Sequence, residues 1–404
     1  MKTSQLISKL KFIYLGFIKS RKDWQMPKKA QILIYDAINV EHISSYLKKY
    51  SVITLDLRGR FINIPCLLGA VITKNFWKGN LLHAYTDTYI KAVNPCLVIT
   101  LTDNNKNFYR ISNQFSGIKT ILFQNGVRTK SGDIFDNLIK SNSYHVDYML
   151  VAGEAIGKHY LKYLTGQFIP VGTLANNLVS KFNDIKNDDV LFISQWHENS
   201  NDEEIFFFKN DDTKVYWKEF FSIEIKVLKL LSKWCIENKK NLKICGREDT
   251  KSNAEKSFFN NCLKQFNHKW TYIPKTNFYS SYKLIDMAHI VVCIDSTLGY
   301  ESIARGKRTA FFSCRGDSIN DYSYRFGWPS ELPNNGPMWT NNQNELEFNL
   351  PRILNYLNIV NDNEWGKVYK NYKKEIMEFD QGNTYFVKLL VQLLSENRNQ
   401  IYVN

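Results

Sequence analysis

The stretch Ile290-Val291-Val292-Cys293-Ile294-Asp295-Ser296-Thr297-Leu298-Gly299-Tyr300-Glu301-Ser302-Ile303-Ala304-Arg305-Gly306 decides how this chain is read. Five apolar residues run into a polar turn, a helical segment follows, and Gly306 stops it before the next apolar run, Thr309–Phe312. Strand, turn, helix and strand in that order make a βαβ unit of a parallel sheet. Ser296 and Thr297 stand where the helix begins, so their hydroxyls and the free backbone N–H groups there suit a phosphate. Asp295 closes the strand, and Glu301 lies about one turn further along, where a carboxylate accepts from ribose hydroxyls. The plain reading of the same residues is a helix cap with a solvated Glu301.

The pattern repeats outward. Val190–Ser194, Leu242–Cys245 and Lys269–Tyr272 are further strands of the second half, and Glu219–Lys239 is the clearest helix between them. Leu242–Cys245 ends in Gly246-Arg247-Glu248, which places a guanidinium at a strand's carboxyl edge, suited to a phosphate. Lys269–Tyr272 ends in Ile273-Pro274, a place for backbone groups to meet a nucleobase. With Ser194, these strand ends offer base, ribose and phosphate contacts in one crevice. The first half gives Gln31–Tyr35, Val52–Leu57, Cys96–Leu101, Thr120–Phe123, Tyr148–Ala152 and Phe168–Val171. A polar stretch, Asn176–Asp189, separates the halves. The expected organisation is α/β: a basic segment over 1–30, Rossmann-like domains over 31–180 and 190–360 facing across a cleft, and closing helices over 361–404.

Composition narrows the class. The 404 residues are 44% hydrophobic and 23% charged, ordinary for a globular protein. The net charge is +14, yet residues 1–30 carry eight Lys/Arg against Asp23 alone, so the body holds only half of the excess. That distribution disfavours nucleic acid, which wants a basic stripe on the folded domain. Leu6, Leu10, Ile13 and Phe17 share a helical face among lysines, which suits peripheral contact with an anionic membrane; packing on the protein is the equal alternative. Seven scattered cysteines without a CxxC imply neither a disulfide framework nor a zinc site, and the cytoplasm is the default compartment.

Several short motifs together resemble a known family. They are Asp103-Asn104-Asn105, Phe123-Gln124-Asn125-Gly126-Val127-Arg128, Asp147–Glu154, Val171-Gly172-Thr173, Gly246-Arg247-Glu248, the Asp295–Gly306 block, Phe326-Gly327-Trp328-Pro329 and Gly336-Pro337-Met338-Trp339. Over roughly residues 95–340 the chain is similar to GT-B-fold glycosyltransferases of bacterial surface-polysaccharide (O-antigen or capsule) synthesis, and distantly to capsule Kdo transferases. The resemblance implies a C-terminal domain that binds a nucleotide-sugar donor and an N-terminal domain that presents a glycan or glycolipid acceptor. It makes Arg247, Ser296, Thr297 and Glu301 donor-binding residues, joined by Ser194, Ile273 and Asp295, with Gln124 and Gly126 on the acceptor side. It also implies a place on the inner face of the cytoplasmic membrane.

Chemistry follows from the residue types. Neutral Asn125 stands where a Kdo transferase carries Asp, so double displacement through it is disfavoured. Direct displacement needs a general base, and Asp103, after Cys96–Leu101, is the first choice, ahead of Asp133 and His83. Arg128 would meet charge on the leaving group or an acidic acceptor, and His197 would assist at the donor phosphate. No Asp-x-Asp closes a strand, so neither metal nor cofactor is expected, and the leaving phosphate falls to Arg247 and a helix N-terminus. A single phosphate-binding Arg fits a CMP-ulosonic acid, Kdo or sialic-like, slightly better than a UDP-hexose. The alternatives are a CDP-polyol phosphotransferase, which would want His where Asn125 stands, a sugar-nucleotide epimerase, and a non-catalytic sugar or nucleotide binder. Trp328 and Trp339, near Gly/Pro turns, are candidates for stacking on a sugar.

Overall fold

The computed structural model describes residues 18–401 apart from 79, 131–133, 138–142, 183–186, 202, 210–211, 250–252 and 267–269. The proposed amphipathic face from Leu6 to Phe17, and Asp133, therefore lie outside the described residues.

The apolar runs become two parallel six-stranded sheets. The first contains β1 (Ile32–Tyr35), β2 (Val52–Leu55), β3 (Leu97–Thr100), β4 (Lys119–Phe123), β5 (His145–Val151) and β6 (Thr165–Pro170) in the order β2-β1-β3-β4-β5-β6. The second contains β7 (Asp189–Ile193), β8 (Asn241–Asp249), β9 (Trp270–Lys275), β10 (Ile290–Cys293), β11 (Thr309–Phe312) and β12 (Trp339–Thr340) in the order β9-β8-β7-β10-β11-β12. Strands β1, β3, β7, β10 and β11 are buried along their whole length, which is why they read as continuous β-branched and aromatic runs without alternation. This is the expected α/β arrangement of two Rossmann-like halves.

Each sheet reverses its strand order once, between β1 and β3 in the first and between β7 and β10 in the second. Open parallel sheets take ligands in the crevice beyond the carboxyl ends at such a reversal. The fold therefore nominates two places: the loops after β1 and β3, and those after β7 and β10.

The halves are joined three ways. Phe386, Leu389, Leu390, Leu393 and Leu394 of the last helix, Thr384–Ile401, pack with Ile32, Ile34, Leu97 and Ile99 of the first sheet. The chain reaches that helix by crossing over Gly172, whose φ of +82° is open to glycine and whose added Cβ would overlap the Glu378 carbonyl. Arg305, at the end of the Thr297–Ala304 helix, reaches into the connecting segment and donates to Val179 O at 3.0 Å, Ser180 O at 3.1 Å and Asn176 Oδ1 at 3.1 Å. It also pairs with buried Asp286, Nε to Oδ1 at 2.8 Å.

Arg305 is a buried cation whose loss leaves Asp286 charged and partly unpaired. Arg305→Leu is expected to destabilise the protein by about 3–5 kcal/mol. Chemical denaturation measures this, and a change below about 1 kcal/mol would contradict the clamp.

Candidate functional site

Both predicted crevices are present, and they meet as two lobes of one cleft. The larger, about 680 Å³, lies at the carboxyl ends of β7, β8, β9 and β10 and reaches Val127, Arg128 and Thr129 of the first half. The smaller, about 360 Å³, lies beyond β3 and β4 and takes in Asn39 and His42 from the segment after β1. Lys275, Ser281, Ser296, Thr297 and Leu298 line both. Between them the Val127 N–H donates to Thr297 Oγ1 at 3.0 Å. Gly126, at φ +95°, makes that approach: a Cβ there would stand 3.1 Å from the same oxygen.

The larger lobe is cationic. Arg128, Arg247, Lys275, Arg315 and Arg325 line it, with Asp295 the sole acid among the described residues that do so. Ser296 caps the Thr297–Ala304 helix, its hydroxyl accepting from Leu298 N at 3.3 Å. The helix thus turns its positive end toward the lobe. Arg247 is exposed, and its guanidinium makes one long bond, 3.4 Å to Trp196 O. Ser194 lines the lobe and holds Trp196 N at 3.1 Å. His197 lies stacked on Trp217 with ring centroids 5.2 Å apart.

Arg315 was not legible in the sequence. It follows β11, is 2% exposed, and stacks over Phe220 at 4.1 Å. Its Nη1 donates to both Asp295 oxygens at 2.7 and 2.8 Å, and its Nε to Phe220 O at 2.9 Å. Its Nη2 is buried and has no partner among the described residues. A buried donor without a partner is costly, and this one borders the cationic lobe. Asp295, expected among the donor-binding residues, lines the lobe with its carboxylate held by Arg315.

Four other expectations change. Ile273 does not line the lobe, because β9 continues through Ile273 and Pro274 and brings Lys275 to the cleft instead. Glu301 lines the smaller lobe, accepting from Tyr282 Oη at 3.0 Å and from the Thr173 hydroxyl across the interface, so it is not beside Arg247. Trp339 is packed in the core against Phe326, whereas Trp328 lines the larger lobe. Asp103 is the largest correction. It is fully buried, accepts from Arg128 Nε at 2.7 Å and Tyr160 Oη at 2.6 Å, and lines neither lobe. Its carboxylate braces the turn after β4, where Asn125 N also donates to it at 3.4 Å, and it is in no position to take an acceptor proton. The same ion pair occupies Arg128.

The smaller lobe holds a residue the sequence did not single out. His42 is buried, its Nδ1 2.7 Å from Tyr279 Oη of the other half, and its Nε2 has no partner. Burial holds its pKa below the ordinary 6.5, which keeps it neutral near pH 7. Asn125 is exposed at the lobe's edge, its side-chain amide uncommitted. Gln124 spends its amide on the turn, accepting from Ala152 N and donating to Gly126 O at 2.7 Å. His83 lies elsewhere, bonded to Asn107 Oδ1 at 2.5 Å. Among the described residues no three His, Cys, Asp or Glu side chains are grouped to hold a metal ion, and no helix is long and apolar enough to cross a membrane.

Two facing α/β sheets with a cleft at both strand reversals define a glycosyltransferase-like chain of the GT-B fold. Residues 121–394 match the family described as "putative O-antigen biosynthesis protein", and the chain belongs to that family. No curated protein sequence matches it. Among solved structures it is similar to S. aureus MnaA bound to UDP, with a TM-score of 0.50, 10% identity, and coverage of 92% of this chain and 97% of that one. It is also similar to the UDP-GlcNAc 2-epimerase of Methanocaldococcus jannaschii (TM-score 0.47, 12% identity, 89% and 99% covered). A third is the wall teichoic acid polymerase TagF (0.45, 10%, 98% and 99%).

Beneath the larger lobe, Glu224 is fully buried with Oε1 accepting from Gln195 N at 2.8 Å and Oε2 unpaired. Burial pushes its carboxyl from 4.5 up to about 7. A carboxyl raised on folding favours the folded state most below its unfolded pKa, and that contribution is lost as pH rises through about 7. Glu224→Gln removes this ionisation. Between pH 5 and pH 8 the wild type is expected to lose on the order of 1–3 kcal/mol more stability than the variant. Thermal melts across that range test it, and parallel curves would contradict it.

Proposed function

We propose that the protein transfers a sugar from a nucleotide-sugar donor in the larger lobe to a surface-glycan acceptor, lipid-linked, whose hydroxyl enters the smaller one. The observation that carries this reading is the buried, unpaired Arg315 Nη2 in a lobe lined by five cations and one paired acid. That set suits the phosphate of a nucleotide, with Arg247 and the N-terminus of the Thr297–Ala304 helix completing the contacts. UDP-hexoses stand beside the CMP-ulosonic acids as donors, since UDP occupies the similar S. aureus MnaA structure.

In the step, the acceptor oxygen bonds to the anomeric carbon as its proton passes to His42 Nε2. The bond from the anomeric carbon to the phosphate oxygen breaks, and its electron pair stays on the phosphate. His42 replaces Asp103 as the base: in the tautomer that donates Nδ1–H to Tyr279 Oη, Nε2 keeps its lone pair. Charge developing on the leaving phosphate meets Arg315, Arg247 and the helix N-terminus. A sugar-nucleotide epimerase is the second reading, favoured by His42 and Glu301 lining one lobe. Incubation with donor alone separates the two, because only the epimerase yields a new nucleotide sugar without acceptor.

A thermal-shift panel of CMP, CDP, UDP, GDP and their sugars tests donor binding. Nucleotides of one base are expected to raise Tm, with about 2.7 kcal/mol of stabilisation at a hundredfold excess over Kd. Arg315→Leu should abolish the shift and the exposed Arg247→Ala should weaken it; no shift with any nucleotide would contradict the reading. With the nucleotide sugar the panel selects, His42→Gln should keep the shift and lower transfer by about 100-fold or more. Unchanged transfer would remove His42 from the mechanism.

A further inference from the structure

The first domain exposes apolar side chains where a soluble surface would hide them. Ile72 is 85% exposed, Trp77 75%, Trp24 72% and Leu68 65%, and all four lie in or beside one small group of elements. Leu68 and Ile72 stand one turn apart at the end of the Ile64–Val71 helix, and Trp77 closes the next short helix, Lys74–Trp77. Trp24 belongs to the entering segment. Its strand Arg21–Asp23 pairs with Phe61–Asn63, directly before the Ile64–Val71 helix. Asn63 fixes that segment in place, donating to Gln25 O at 2.7 Å and Asp23 Oδ2 at 3.2 Å while capping the helix. Ile18, Met26 and Phe61 are exposed along the same seam.

The charge around these residues has one sign. From 57 to 86 the sequence contains no Asp or Glu. Among the described residues, Lys74 and Lys78, exposed on either side of Trp77, have no ion-pair partner, and neither do Lys28 and Lys29 just beyond Met26. The nearby acids are engaged: Asp56 accepts from Arg60 Nε at 2.6 Å, and Asp23 from Asn63. Uncovered Trp, Ile and Leu beside exposed lysines match a surface that is apolar beneath and anionic above. Tryptophan settles at the headgroup boundary, aliphatic side chains enter the acyl edge, and each nearby lysine gains from acidic lipid. Lys19, Arg21 and Lys22 precede Trp24 in the same entering segment.

We propose that this face, centred on Leu68, Ile72 and Trp77 with Lys74 and Lys78, docks the folded first domain on an anionic bilayer. It rests on observations separate from the nucleotide lobe, and its success or failure leaves the donor reading untouched. The docking surface is the domain itself, so the basic segment of residues 1–17 adds attraction without being the anchor.

Co-sedimentation of the full chain with vesicles of phosphatidylcholine and phosphatidylglycerol, against phosphatidylcholine alone, is the test. The wild type should bind the acidic vesicles and bind the neutral ones at least tenfold more weakly. Ile72→Glu with Trp77→Glu should cut binding at least tenfold, and Lys74→Ala with Lys78→Ala about tenfold at low salt. Removal of residues 1–17 should leave a measurable, salt-sensitive fraction bound. All these side chains are exposed, and an unchanged melting temperature confirms that the variants fold. The proposal falls if the wild type ignores acidic vesicles, if Ile72→Glu with Trp77→Glu binds as the wild type does, or if removing 1–17 alone abolishes binding. It also falls if that double variant turns a dimer into a monomer without affecting vesicle binding, since the face would then be covered by a second copy.

Discussion

The bidentate contact between Arg315 and Asp295 organises the larger lobe. The two residues follow adjacent strands, β11 and β10, and the guanidinium is gripped by a carboxylate, a backbone carbonyl and an aromatic face. Three of its five N–H groups are held by that grip, and the two on Nη2 have no hydrogen-bond partner among the described residues. Burying an unpaired donor costs free energy in the absence of a ligand, so the arrangement is intelligible as preparation for an anion. The rest of the lobe adds to it: the helix that begins at Thr297 starts two residues beyond Asp295, so one turn sets both the guanidinium and the helix dipole.

The same economy governs the first domain, with the opposite result. Asp103 ends up as the hub of a buried network, because Asn125 and Arg128 of the turn after β4 and Tyr160 of the helix Glu154–Tyr160 all donate to it. That network shapes the turn carrying Asn125, Gly126 and Val127, and through Val127 the turn touches Thr297 of the other half. A residue expected to react is therefore one that positions. His42 is placed by a different route: its ring is caught between halves, with Nδ1 beside Tyr279 Oη and Nε2 without a partner among the described residues.

Much of the fold was legible because parallel strands buried on both faces leave uninterrupted apolar runs. Thr309–Phe312 was bounded as the structure has it, and the others within a few residues. Short pairs such as Arg21–Asp23 with Phe61–Asn63 left no such trace, since each strand has three residues and neither is apolar throughout. The site was legible where it follows local rules: Ser296 as a cap, Gly246-Arg247 at a strand end. It was illegible where distant residues meet. Arg315 sits in an unremarkable Ser-Cys-Arg-Gly stretch, His42 in a polar helix, and only the tertiary fold brings either to the cleft. Ile273 was misplaced because the strand runs three residues beyond the expected Tyr272, to Lys275.

Titration calorimetry of each nucleotide against its own nucleoside tests the central claim, that the larger lobe is built around a phosphate. The account predicts that the selected nucleotide binds at least 100-fold more tightly than its nucleoside, and that Arg315→Leu brings the two within a few fold of each other. Equal affinity of nucleotide and nucleoside in the wild type would contradict it.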